Sequence, residues 1–567
     1  MSLNQLLSEL NIKHNMTAFV LSERTYHDQT TLYYKNIPSA LLYLNHLSMF
    51  QTPLQDDKLK VKGTMIDLSR NAVFRVDYFK AVIKKQALLG YNEIWLYLED
   101  IYELKNYPKF GYLRGKYSKE ELIELVTYAA HFGVRLVPCI QTLGHMSQFL
   151  RWPSSEAYKD QRDVLLISDQ TYQLIDEMLL FCKEVFQTNK IHVGLDETFG
   201  FSFGTHYKLH GYQSPESLFL NHVSVVYEKA KAVGFDEICM WSDMFFRHRS
   251  KTNYYYDYSI SFEEDFINQL PKDMTLVYWD YYNKNYEVYD QMIKKHKEMN
   301  RKVIMASGTW IWTRLTYDQK KTLETASHAI RACINNQLDE IILTQWNDDG
   351  AYAVYDSSFL GLSDINKLLS NSKFNETYLD KNHILNTKAQ TMLSLVSHQG
   401  FDPVMLLWDD VLLGIYLNDL VGYDFNKIQS LISTFRAYQL KSSSDINSYY
   451  QSLFLVLLKK LELREALLRG YFKDHHFFGI ETIATDLKRH LMAFLEGFER
   501  MWKQTYKVFG LEVIQSRLYS QLRRVDELIT VTTQFKKGDS IPYLDENLSK
   551  EPYLSVKYAD IAFSSKP

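Results

Sequence analysis

Cysteine is scarce in this chain. There are four in 567 residues, Cys139, Cys182, Cys239 and Cys333, far apart and without a CxxC pair. That spacing argues against a disulfide framework or a cysteine metal site and suits a reducing compartment. Long apolar runs are missing too. The longest, Leu453–Leu458, falls far short of the roughly 20 residues that span a bilayer. The N-terminus has no basic start followed by an apolar stretch, because Glu9 and Asn11 interrupt it, so no secretory leader is expected. Nor is there an excess of charge of one sign. The formal net charge is -4, which does not suggest the basic face that a phosphate backbone wants. The expectation is a soluble cytoplasmic protein with neither a membrane nor a nucleic acid as partner.

What is present is ordinary globular material. Hydrophobic residues make up 46% and charged residues 23%, so the chain can bury a core and is not disordered. Its length exceeds one compact core, and two or three domains are expected. The 41 Tyr and 9 Trp suit the apolar walls of a sugar site, and equally a large core.

Residues 1–55 read as a small α/β region, with an apolar stretch at Ala18–Leu21 and a helix-like run at Ala40–Leu47. From about residue 56 to 370 the pattern is regular. Short β-type runs at Thr64–Leu68, Glu93–Leu98, Val134–Ile140, Lys190–Asp196, Glu237–Asp243, Met274–Trp279, Lys302–Ser307 and Glu340–Trp346 alternate with amphipathic helical stretches. Ser118 and Glu121 form a capping box before one helix, and Ser214-Pro215 opens another. Eight strand–helix units predict a (β/α)8 TIM barrel, with a doubly wound open sheet as the competing arrangement. Residues 371–567 read as a helical C-terminal domain, with helical spacing at 449–470, 483–507 and 511–530 and a serine loop at 442–444. The apolar spacing of Leu511–Leu522, beside Trp502 and Tyr506, suits packing on the barrel or on a second copy in a homodimer.

Barrel chemistry sits where the strands end. Strand one leads to Asp67, Ser69 and Arg70, strand two to Glu99 and Asp100, strand three to Gln141 and then His145. Strand four ends in Asp196 and Glu197, and strand five carries Trp241 and Asp243. Strand six ends in Trp279, Asp280, Tyr281 and Tyr282, strand seven leads to Trp310 and Trp312, and strand eight to Trp346, Asp348 and Asp349. Singly, each has a plain structural reading: a tryptophan packs, a histidine is satisfied in a loop, and Asp67 or Asp243 serves equally well as a turn or helix-cap residue. Together, carboxylates and aromatic walls on one rim suit sugar cleavage. No HxH follows any strand, which argues against a metal hydrolase.

These segments resemble glycoside hydrolase family 20. The run from His192 through Gly194, Leu195, Asp196 and Glu197 resembles that family's His-x-Gly-Gly-Asp-Glu signature. Lys62 to Arg70 resembles its strand-one segment, and Val134 to His145 its strand-three region. Three departures stand out: Leu195 replaces the second glycine, Lys62 replaces a sugar-binding arginine, and the tyrosine expected after strand seven is replaced by Trp310 and Trp312. Tyr281 or Tyr282 is then the candidate for the hydroxyl that holds an acetamido oxygen. The resemblance, with its helical C-terminal region, implies an intracellular-type, exo-acting, retaining β-N-acetylhexosaminidase that removes terminal GlcNAc or GalNAc from a glycan or glycoconjugate.

Adjacent carboxylates on one strand do not easily flank a glycosidic bond, since alternate side chains point to opposite faces. Substrate-assisted hydrolysis needs only one acid, Glu197, with Asp196 steadying the sugar's acetamide; it needs no metal or organic cofactor. Trp241, Trp279 and Trp346 would wall the sugar, and Arg70 or Lys62 with Asp348 would hold its outer hydroxyls; Glu99, Asp100, His145 and Trp310 complete the candidate set. The rival readings are a two-carboxylate barrel glycosidase, using for example Glu99 with Asp196, and a carbohydrate-binding protein without catalysis.

Overall fold

The computed structural model describes residues 2–348, 350–370, 403–417, 424–437, 445–535 and 538–546. They fall into two compact units. The first comprises the chain up to Trp310, Lys321–Trp346 and the helix that starts at Ser358; the second comprises Ile311–Lys320, Asn347–Ser357 and the described residues from Pro403 onward.

The first unit opens with a small sheet of order β1-β3-β2, formed by β1 (Ala18–Leu21), β2 (Tyr26–Asp28) and β3 (Thr31–Tyr34). The helix Ile37–Phe50 follows. Its N-cap Asn36 accepts the amide of Ser39 at 2.9 Å, which satisfies one of the free N–H groups of the first turn.

Eight parallel strands then close into a barrel: β4 (Val61–Asp67), β5 (Glu93–Leu98), β6 (Arg135–Ile140), β7 (Lys190–His192), β8 (Glu237–Trp241), β9 (Met274–Trp279), β10 (Lys302–Gly308) and β11 (Glu340–Gln345). β11 pairs with β4 and completes the ring, which decides for the barrel over the open sheet. Every residue of β4, β5 and β11 is buried, as expected of parallel strands covered on both faces. The helix Lys119–His131 begins with the expected reciprocal cap between Ser118 and Glu121. One strand departs from expectation: β7 stops at His192 rather than running to Asp196.

Six of the eight strands start with a charged residue: Glu93, Arg135, Lys190, Glu237, Lys302 and Glu340. They meet at the end of the barrel where the strands begin. Lys190 is fully buried, with its Nζ 3.1 Å from Glu93 Oε2 and 2.8 Å from Glu340 Oε2. Arg135 pairs with Glu93 and Lys302 with Glu340, while the Trp95 indole donates to Glu93 at 2.9 Å. Burial alone would raise Glu93, but Lys190 and Arg135 outweigh it and hold this carboxyl below its usual range.

In the second unit the C-terminal helices are Phe425–Ala437, Asp445–Arg469, Ile480–Thr505 and Leu511–Phe535. Helix Ile480–Thr505 buries Leu487, Leu491, Phe494, Phe498 and Trp502, one stripe at spacings of three and four. The serines at 442–444 lie outside the described residues. Among the described residues no helix is long and apolar enough to cross a membrane. All four cysteines are buried free thiols.

The charged cluster yields a stability prediction. Lys190→Ala removes the shared cation and leaves Glu93 and Glu340 less compensated, at a cost of about 3–5 kcal/mol. A denaturation midpoint well below wild type, with unchanged activity per folded molecule, is the expected result; an unchanged midpoint contradicts it.

Candidate active site

The site is set by how the chain leaves β7. Gly194 and Leu195 take φ of 76° and 78°, and Glu197 takes φ of 47°. At Gly194 a Cβ would lie 2.1 Å from Gln141 Oε1 and 2.7 Å from the Ile140 carbonyl, so only glycine fits. Leu195, where the family signature carries its second glycine, holds the same left-handed conformation as a buried leucine. Such backbone costs about 1–3 kcal/mol per residue and persists only where its surroundings over-determine it. Strand alternation therefore does not govern Asp196 and Glu197, because neither lies on a strand. Asp196 is buried, whereas the side chain of Glu197 is about one-third exposed.

The loop after β6 closes over this turn. Gly144 packs so tightly that a Cβ there would meet the Asp196 carbonyl at 2.8 Å. The next residue, His145, places Nε2 3.1 Å from Asp196 Oδ2 and 3.7 Å from Glu197 Oε2. Gln141 Nε2 donates to Asp196 Oδ1 at 2.9 Å and to the Tyr97 hydroxyl at 3.0 Å. Burial would lower His145, but the Asp196 carboxylate outweighs it and raises the imidazole to about 9. Burial would raise Asp196, but His145 and Gln141 outweigh it and hold its carboxyl below the usual range. The pair is a buried imidazolium–carboxylate at neutral pH.

Two further carboxyls beside this pair are pushed the other way. Burial raises Glu99 to about 7 in spite of Arg70, His145 and Arg114. Burial and then the Asp196 carboxylate raise Asp243 to about 8. Environments that separate the protonation states of neighbouring carboxyls are how a site divides acid, base and electrostatic roles.

Aromatic rings line the same rim. Trp346 meets Tyr97 edge-on at 4.7 Å and lies 6.4 Å from Trp241. The Arg70 guanidinium sits over Tyr97 at 4.8 Å and Trp346 at 5.4 Å, and reaches Asp67 at 3.3 Å and Glu99 at 3.8 Å. Trp279 stacks on Tyr281 at 5.5 Å with 18° between the rings. Trp310 donates its indole N–H to the Tyr281 carbonyl at 3.2 Å, and the half-exposed Tyr282 meets Trp310 edge-on.

Most candidates from the sequence thus come together around Asp196. Three do not. Lys62 is the second residue of β4, about five residues and ~16 Å before the rim. It is buried with its Nζ 3.1 Å from Asp57 and 2.8 Å from Asn366, so its expected role at sugar hydroxyls is corrected to that of a core cation. Asp100 is also spent on structure: it accepts Arg114 Nε at 3.2 Å and the Gly111 amide at 3.3 Å, and fixes that loop. Asp348 lies half-buried in the turn after β11.

Four residues of the site lie outside the candidate set drawn from the sequence: Gln141, Tyr97, Arg114 and Asp243. Gln141 and Asp243 stood at strand ends and carried that signal; Tyr97 lies within β5, where only its neighbours reveal its hydroxyl. Asp243 starts a helix but makes no cap. Its Oδ2 accepts the amide N–H of Glu197 at 3.1 Å.

A parallel barrel with clustered carboxyls and aromatic walls where its strands end is the frame of a glycosidase. Comparison with known proteins agrees. Residues 60–340 match the glycosyl hydrolase family 20 catalytic domain, and residues 397–558 match the glycoside hydrolase 20C C-terminal domain. The chain belongs to glycoside hydrolase family 20. It is 28% identical over 163 residues to the β-hexosaminidase subunit beta of Entamoeba histolytica, across 25% of this chain and 29% of that one. It is 25% identical over 169 residues to β-hexosaminidase 3 of Arabidopsis thaliana, across 27% of this chain and 30% of that one. The matches therefore span less than a third of either relative. Among solved structures, a β-N-acetylhexosaminidase from Bacteroides fragilis is 17% identical with a TM-score of 0.48, covering 69% of this chain and 86% of that one. An exo β-N-acetylglucosaminidase from Vibrio harveyi, in complex with N-acetylglucosamine, is 14% identical with a TM-score of 0.47, covering 67% and 70%.

The imidazolium sets a pH prediction. In His145→Gln the Asp196 carboxyl loses the cation that keeps it ionised, so its proton is lost only at higher pH. The acid limb of kcat/KM is expected to move to higher pH; an unmoved limb means that His145 does not hold Asp196.

Proposed function

We propose that this protein is an exo-acting, retaining β-N-acetylhexosaminidase that works by substrate-assisted catalysis. The observation that carries the reading is the unequal setting of two adjacent carboxyls. Asp196 is buried, clamped by Gln141 and His145, and held ionised, while Glu197 is open to the rim. A nucleophile must reach the anomeric carbon, and a buried, doubly held carboxylate is poorly placed to do so. It is well placed to accept an N–H and to stabilise a cation.

In the proposed reaction the 2-acetamido oxygen attacks the anomeric carbon as Glu197 gives its proton to the glycosidic oxygen, and the bond to the leaving group breaks. The acetamide becomes an oxazolinium whose N–H is held by Asp196. Glu197, now a carboxylate, takes a proton from water; that water opens the ring at the same carbon and restores the β-configuration. Trp241, Trp279 and Trp346 wall the acetamide and sugar face, and Arg70 with Glu99 holds outer hydroxyls. Tyr281, packed between Trp279 and Trp346, is the better candidate for the hydroxyl on the acetamido oxygen than the half-exposed Tyr282. Glu99 is an unattractive nucleophile, because it is buried between Arg70 and Arg114.

Side-by-side hydrolysis of nitrophenyl β-GlcNAc, β-GalNAc, β-glucoside and β-galactoside tests the reading. Turnover confined to the acetamido sugars supports it; comparable rates on β-glucoside overturn it. Asp196→Asn is expected to lower kcat by about 10²–10³ with little change in KM, since a neutral amide in the resting complex turns cationic only during reaction. A raised KM with kcat intact contradicts that role.

A further inference from the structure

The mechanism above leaves one buried acid unused. Asp243 follows β8 and sits against the turn that carries the reacting pair. Its Oδ2 accepts the Glu197 amide at 3.1 Å, and the Trp279 indole lies near the same carboxyl. Glu197 needs that support. It is a long, non-glycine side chain in the left-handed region, at φ of 47°. Hydrogen bonds tie the turn: the Glu197 amide to Asp243, the Glu197 carbonyl by the Phe199 amide at 2.7 Å, the Gly194 carbonyl by the Trp241 amide at 3.1 Å, and the Gly194 amide to His192 Nδ1 at 3.1 Å. The first is made by a side chain to the Glu197 backbone itself.

We infer that Asp243 is a positioning residue for the acid–base glutamate, and that it works as a neutral acid, by holding the Glu197 backbone in its left-handed turn. This rests on the role proposed for Glu197. The charges around Asp243 favour the neutral form. Asp196 and Glu197 face it from the turn, and Tyr255 faces it from the loop after β8, with its hydroxyl bonded to Arg247 at 2.7 Å. Asp196 is held as an anion beside it, and burial disfavours a second charge. The carboxyl is accordingly pushed up to about 8. A neutral acid accepts the amide through its carbonyl oxygen. An asparagine does the same at nearly the same size and charge, whereas an alanine cannot.

The contrast between those two substitutions is the test. Asp243→Asn is expected to keep activity within about threefold of wild type. Asp243→Ala is expected to misplace the proton donor. Its kcat should fall at least tenfold more for a GlcNAc disaccharide than for nitrophenyl β-GlcNAc, because the sugar leaving group depends far more on protonation. KM should change little for either. A loss of stability alone would scale both substrates equally. A second measurement uses no substrate. Hydrogen exchange at the Glu197 amide should be slow in wild type and in Asp243→Asn, and at least tenfold faster in Asp243→Ala. Inactivity of the wild type on acetamido glycosides would count against the proposed function, and the exchange measurement would still decide Asp243. An Asn variant as impaired as Ala, equal losses on the two substrates, or unchanged exchange in Ala each overturns the inference.

Discussion

The site depends on one constraint: a carboxylate, Asp196, has to stay ionised while buried. Burial disfavours the charged form, and only matched partners make it tolerable. The chain supplies them from different elements: an amide from the end of β6, an imidazolium from the loop after it, and a turn that brings Asp196 to both. The left-handed residues after His192, the tight pack of Gly144 on the Asp196 carbonyl and the raised His145 all serve that single charge. The cost appears in the neighbours. Glu99 and Asp243 share the pocket with a fixed anion, and both are pushed toward their neutral forms.

The two ends of the barrel use buried charge for opposite ends. Where the strands begin, acids and bases are paired: Lys190 lies between Glu93 and Glu340, with Arg135 and Lys302 beside them. Nothing there is left to react. Where the strands finish, acids outnumber the cations that touch them, and their protonation states are split. A closed barrel allows this division because its interior is filled between the two ends by rings such as Trp95, Tyr97 and Trp241.

Much of this was legible beforehand, for definite reasons. Parallel strands covered on both faces read as unbroken apolar runs, which is why Glu93–Leu98 and Met274–Trp279 matched residue for residue. A capping box is a local pattern, so the helix at Lys119 was found from Ser118 and Glu121. The rim residues followed from knowing where barrel strands end. What failed was direction. Lys62 sits on the right strand but five residues from its finish, and its ammonium meets Asp57 and Asn366. Asp100 follows β5 but turns to Arg114 and Gly111. Spacing along the chain does not reveal a backbone that turns left-handed at a leucine and a glutamate. The end of β7, and with it the true relation of Asp196 to Glu197, therefore stayed hidden. Asp243 stood evenly between a cap and a site residue, because an aspartate after a strand commonly caps the next helix.

The proposed mechanism requires the sugar's own acetamide to act as the nucleophile. The most direct measurement is the turnover of a series of nitrophenyl glucosaminides whose N-acetyl group carries zero, one, two or three fluorines. Fluorine withdraws electrons from the amide oxygen without changing the leaving group and with little change in size. With the acetamide as nucleophile and Asp196 as its partner, kcat falls steeply and steadily along the series. A rate that does not respond to fluorination would mean that a protein carboxylate attacks instead, and would contradict the assignment of Asp196 and Glu197.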